Sequence, residues 1–196
     1  MSVISPDRLA ILYKQAWTGV MPSLGDITQA QELIGFSFGL RFNSDGQLGA
    51  PGPINEAIAR HIVGDPILST LDMNLQEELA VAIRALDSRL ASRQIKKIVP
   101  TVPRPWRSVT TNDVYQECLP GLRGRRVSHL AVVAFRHHQP RGAAEVAVGS
   151  FKVSTSDMTG VGEFDPGNGL RQCQSKGKWM EREALVLPYF AARGLI

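Results

Sequence analysis

The chain has 196 residues, 43% hydrophobic and 20% charged, enough apolar material to bury a real core in one domain or two small ones. No apolar run approaches the roughly 18 residues that span a bilayer, and the start MSVISPDRLAILYKQAW lacks the basic region and cleavage site of a secretory signal, so a place on the cytosolic side of membranes is expected. The net charge of +4 conceals an acidic first half (residues 1–92, net −4) and a basic second half (residues 93–196, net +8), while Cys118 and Cys173 are too few for a disulfide framework and are expected as free thiols.

Ser5-Pro6-Asp7 is a helix start with proline at the first helical position, and Leu9, Leu12, Tyr13, Ala16 and Trp17 follow at helical spacing up to Gly19. Asp26 is a candidate N-cap for a second helix, which LIGFSFGLRF (Leu33–Phe42) would continue. Ile27, Ala30, Leu33, Ile34 and Phe38 share one face there, and Gly35 and Gly39 permit close approach of another helix. The same decamer also serves as a strand, and periodicity does not separate the two. Residues 43–53 carry turn chemistry in Asp45-Gly46 and Pro51-Gly52-Pro53. A short helix from Ile54 to Val63 stops at Gly64-Asp65-Pro66, and a long one is expected from about Asn74 to Ala91, with its stripe on Leu75, Leu79, Ile83, Leu86 and Leu90. The run IVPTVPRPW, with prolines at 100, 103 and 105, excludes helix and central strand and reads as a linker at the change of charge balance. Val127, Leu130, Ala134 and His138 fit a helical face. Residues 144–154 pass as strand or helix, residues 158–169 as loop, and residues 178–193 as a helix interrupted by Pro188.

Motifs of catalysis are absent. There is no GxSxG, HExxH, GxGxxG or GxxxxGK[ST], and FDPGNGLRQCQSKGK fits none of them. His137-His138 are adjacent, so as strand residues they would point to opposite sides, and they read as surface or linker histidines. No metal site, cofactor or catalytic residue is expected. The positive signal is basic: Arg89, Arg93, Lys96 and Lys97 around the end of the long helix, Arg123, Arg125 and Arg126 in LRGRR, and Arg136 and Arg141 in FRHHQPR. Phosphates of lipid or nucleic acid suit such clusters, and the few aromatics between them argue against base readout.

The succession LIGFSFGLRF, polar turn, short helix, Gly-Asp-Pro and long helix resembles the matrix proteins of orthomyxoviruses, the influenza-type viruses. AFRHHQPRGAAEVAVGSF and PDRLAILYKQAWTG resemble further helices of that family, so the likeness runs in order through most of residues 6–155 and suggests a short, divergent member close in size to the fish-infecting isavirus branch. The resemblance implies a mostly α fold of two small helical lobes, with residues 144–154 helical; the alternative is α+β with strands in the C-terminal half. Its lobes would be residues 1–99 and 106–196, joined by a linker at 100–105. It implies a non-enzymatic virion protein beneath the envelope, found also in host cytoplasm and nucleus. That protein would polymerise with itself, bind anionic membrane and meet the viral ribonucleoprotein; a nucleic-acid-binding nucleocapsid-associated protein is the alternative. Arg84, Arg89 and Arg93 match the family's basic stretch loosely. The basic triplet expected after the apolar helix is replaced by Pro51-Gly52-Pro53, and the zinc motif has no counterpart near VSTSDM.

Overall fold

Residues 33–41 of the apolar run are strand and irregular chain, not helix. In the computed structural model, which describes residues 6–20, 24–41, 43–45, 49–101 and 109–192, strand β1 occupies Glu32–Gly35. It is the middle of a five-stranded sheet with β2 (Asp72–Gln76), β3 (Ile95–Val99), β4 (His129–Val133) and β5 (Lys152–Thr155), in the order β3-β2-β1-β4-β5. Every neighbouring pair is parallel, with Leu33 opposite Met73 on one side and Ala131 on the other. A central parallel strand is covered on both faces and so loses the alternation that would mark it as a strand. Leu33 packs into one apolar layer and Ile34 into the other, both fully buried.

Helices cover both faces. Helices α2 (Pro53–Gly64), α3 (Glu77–Leu86) and α4 (Ser88–Gln94) pack with Leu33, Met73, Leu75 and Val133. On the other face, α5 (Thr111–Gly124) and α6 (Gln139–Val148) enclose Ile34, Leu130 and Val132. Helix α1 (Pro6–Thr18) lies against α6 and α7 (Lys176–Ala192), and the Tyr13 hydroxyl donates to the Ala184 carbonyl at 3.2 Å. This is a doubly wound α/β architecture.

The expected mostly helical fold of two lobes is thereby corrected, and each correction has a local reason. The long helix proposed for 74–91 is β2 followed by two helices. Asp87, extended at φ −148°, closes α3 and caps α4 by accepting from the Leu90 amide at 2.8 Å. The helical face read from Val127 to His138 is β4 and the turn into α6, with Leu130 to Val133 wholly buried. Residues 144–154 divide between the end of α6, a turn in which Ser150 takes φ 70°, and the edge strand β5. Asp26 does cap, but only a single 3-10 turn at Ile27–Gln29. β3 stops at Pro100 on the sheet's other edge, where a missing amide costs no ladder bond. Residues 102–105 of the expected linker lie outside the described residues, and the strands before and after them belong to one sheet. Gly35 allows close approach as expected, though of β2 and α3 side chains: a Cβ there would stand 2.6 Å from Leu75 Cδ2 and 2.8 Å from Leu79 Cδ2.

Candidate functional site

Strand order reverses between β1 and β4. From β1 the chain moves outward to β2 and β3, then returns to lay β4 on the opposite side of β1. Loops leaving the carboxyl ends of β1 and β4 therefore diverge, which opens a crevice at the place where doubly wound sheets bind ligands. Here the crevice encloses about 60 Å³, room for a few waters or one small polar group.

One wall is the continuation of β1, whose amides are held by side chains instead of a neighbouring strand. Ser37 N donates to Gln76 Oε1 at 3.1 Å, Phe38 N to Asn55 Oδ1 at 2.8 Å, and Leu40 N to Asn168 Oδ1 at 3.1 Å. All three bonds replace ladder partners for buried donors. Gly39 takes φ +81° with the Asn168 side chain against its Cα, a place no Cβ would fit. Just beyond β3, the Thr101 hydroxyl donates to Glu78 Oε2 in the first turn of α3 at 2.7 Å, and burial raises the Glu78 pKa.

The opposite wall follows β4 and is the more reactive. His138, 7% exposed, has Nε2 at 2.8 Å from Thr111 Oγ1, while its Nδ1 is buried without a hydrogen-bond partner. Burial, reinforced by the Arg141 and Arg182 charges, drives its pKa well below that of free histidine, so the ring is neutral. Arg141 pairs with Glu183 at 2.8 Å, with side-chain exposures of 6% and 1%, and its guanidinium lies over the Trp179 ring at 5.2 Å. Burial raises the Glu183 pKa against the pull of Arg141 and Arg182, and lowers that of half-buried Arg182. Arg182 makes no hydrogen bond or ion-pair contact with another described residue. Among the described residues, four buried polar atoms on or behind this wall are unpartnered: His138 Nδ1, Arg141 Nε, Trp179 Nε1 and Glu183 Oε2. Buried polar groups are nearly always satisfied, so such a gathering marks a place built for something else to bind.

The basic residues singled out from sequence are not brought together. Arg84, Arg89 and Arg93 are exposed on α3 and α4, with Arg89 and Arg93 beside one shallow depression. Lys96 meets Asp72 at 3.3 Å and Lys97 meets Glu117 at 3.6 Å. Arg123 and Arg126 are exposed at the end of α5, whereas Arg125 grips Glu32 with two bonds of 2.6 and 2.8 Å and reaches Asn74 at 3.1 Å. Arg136 bonds Glu163 at 2.9 Å. Arg141 is the single member of that set inside the crevice, as a buried ion pair. His137 and His138, expected at the surface, are 3% and 7% exposed. His137 Nδ1 donates to the Ala16 carbonyl at 2.6 Å, tying β4's loop to α1. Sequence reading passed over Ser37, Thr111, Trp179, Arg182 and Glu183. The available signal was an apolar run ending in Ser-Phe-Gly, which as a strand would place its polar end at a carboxyl edge.

No protein-family model, curated protein or solved structure matches the chain.

Proposed function

We propose that the protein binds a small molecule in the crevice between the carboxyl ends of β1 and β4, and that His138 and Thr111 move a proton on it. The observation that carries this reading is the set of unpartnered buried atoms on His138, Arg141 and Trp179, which line one cavity at the point of strand-order reversal. Neutral His138 bonds a hydroxyl through one nitrogen and keeps the other without a partner, so it can hydrogen-bond a ligand and pass a proton between it and Thr111 without itself holding a charge. A fragment library of neutral and charged compounds, followed by amide shifts of the isotope-labelled protein, tests it. Hits should shift Gly39, Thr101, Thr111 and His138, and should lose affinity in His138→Ala. Shifts confined to other surfaces, or none, would remove the reading.

A second reading keeps the matrix-type expectation of a virion protein that self-assembles on anionic membrane and contacts ribonucleoprotein. It is supported by the exposed cations Arg84, Arg89, Arg93, Arg123 and Arg126, which have no carboxylate partner among the described residues. Each such charge contributes on the order of 1 kcal/mol beside an anionic leaflet. Flotation with phosphatidylserine vesicles, weakened by Arg89→Glu with Arg93→Glu and by high salt, is the expected result. Retention on neutral vesicles would contradict it, and RNA binding without flotation would favour the nucleic-acid alternative.

A further inference from the structure

The crevice offers hydrogen-bond donors in excess of acceptors. Two guanidiniums, Arg141 and Arg182, share one carboxylate, Glu183, and Arg182 has no hydrogen bond or ion-pair contact among the described residues. Arg141 Nε and Trp179 Nε1 are buried donors with no acceptor. Helix ends add to this, but unequally. At the start of α6 the amides of His138 and Gln139 donate to the Phe135 carbonyl, and those of Arg141 and Gly142 to the His138 carbonyl, so that end is closed. At the start of α5 the Thr110–Asp113 capping box satisfies Thr110 and Asp113, while the amides of Thr111 and Asn112 have no partner among the described residues. Thr111 lines the crevice, so the positive end of this 14-residue helix faces it.

A carboxylate brings two oxygens to such a site; a phosphate brings three or four, spread tetrahedrally. The donors come from three directions: α7 (Trp179, Arg182), α6 (Arg141) and α5 (Thr111). A planar group meets one or two of these, and a tetrahedral one meets all three. We infer that the crevice recognises a phosphate monoester, with Arg182, Arg141 Nε, Trp179 Nε1 and the Thr111 amide around its oxygens. Glu183 keeps Arg141 in place from behind, and its single charge leaves Arg182 to be neutralised by the ligand. This rests on the small-molecule reading above and names its ligand class.

Titrations of the full chain with methyl phosphate, inorganic phosphate, acetate and methanol, followed by the Thr111 amide and Trp179 indole signals, test it. Methyl phosphate should shift both signals, bind more tightly than acetate, and lose at least tenfold affinity in Arg182→Met, with Arg182→Lys between. Inorganic phosphate binding as tightly as methyl phosphate would identify the free ion as the ligand and overturn the monoester assignment. Equal affinity in Arg182→Met, or shifts centred on Arg89 and Arg93, would overturn the site. Should Arg182→Met fail to fold, the wild-type signals and Arg182→Lys decide alone. Neutral fragments occupying the crevice while both phosphates do not would defeat this inference and leave the small-molecule reading standing; no binding of any compound would defeat both.

Discussion

Glu145 on α6 is 3% exposed, and its Oε1 is buried without a partner. Burial pushes its pKa up to about 7, against 4.5 for the free side chain; Arg141 pulls the other way and Asp113 adds slightly to the rise. A carboxyl that binds its proton more tightly in the folded state stabilises the fold fully below the unfolded value. That contribution is lost as pH rises from about 4.5 through about 7. At 1.36 kcal/mol per pKa unit, the loss above neutrality is on the order of 3 kcal/mol for this group. Glu145→Gln keeps the shape without the charge. The variant should match the wild type at pH 4.5 and exceed it by about 2–3 kcal/mol at pH 8.5. For a protein of this size that corresponds to a rise in Tm of roughly 5–10 °C. Urea unfolding of both proteins at half-unit intervals from pH 4.5 to 8.5 measures the difference directly. A constant difference across that range would refute the assignment of a buried, uncompensated carboxyl, as would a variant less stable at pH 8.5 than at 4.5 relative to wild type.

Arg125 and Arg126 are neighbours with opposite roles. Arg125→Met strands the buried Glu32 carboxylate and should cost about 1–3 kcal/mol in urea unfolding, whereas Arg126→Gly relieves a left-handed φ of 57° and should stabilise by about 0.5–1 kcal/mol. Gly35→Ala drives a methyl into Leu75 and Leu79 and should destabilise by about 1–3 kcal/mol, visible as a lower Tm. Cys118 and Cys173 are buried and their thiol pKa values are pushed up to about 12 from 9.0, so at pH 8 native protein should alkylate about a thousandfold more slowly than unfolded chain. Equal rates in the two states would place these thiols at the surface. Reversing Glu77 and Glu78 to Lys should unfold the protein, because Glu78 is 3% exposed and both carboxylates hold Thr101; a folded double variant by circular dichroism would contradict the observed packing.

What the sequence determined by itself is whatever depends on a few adjacent residues. Although, contrary to expectation, Pro188 does not interrupt the helix Lys176–Ala192, Pro6 opens α1, Gly19 closes it at φ +67°, Pro53 opens α2 and Asp65 ends it. Each follows from the torsions that proline, glycine and a capping side chain allow locally. The strands follow from no such rule. LIG and HLAVV are buried on both faces, so their apolar residues run continuously and fit a helical stripe as well as a strand; only the pairing of Leu33 with Met73 and Ala131 decides between them. The resemblance to a helical family tipped that balance the wrong way. The crevice was hidden for a related reason. Ser37, Thr111, His138 and the α7 pair Trp179 and Arg182 lie on four different segments, and none stands in a motif. They meet because a parallel sheet reverses its order between β1 and β4, and that reversal is a property of the packed layers, not of any stretch of chain.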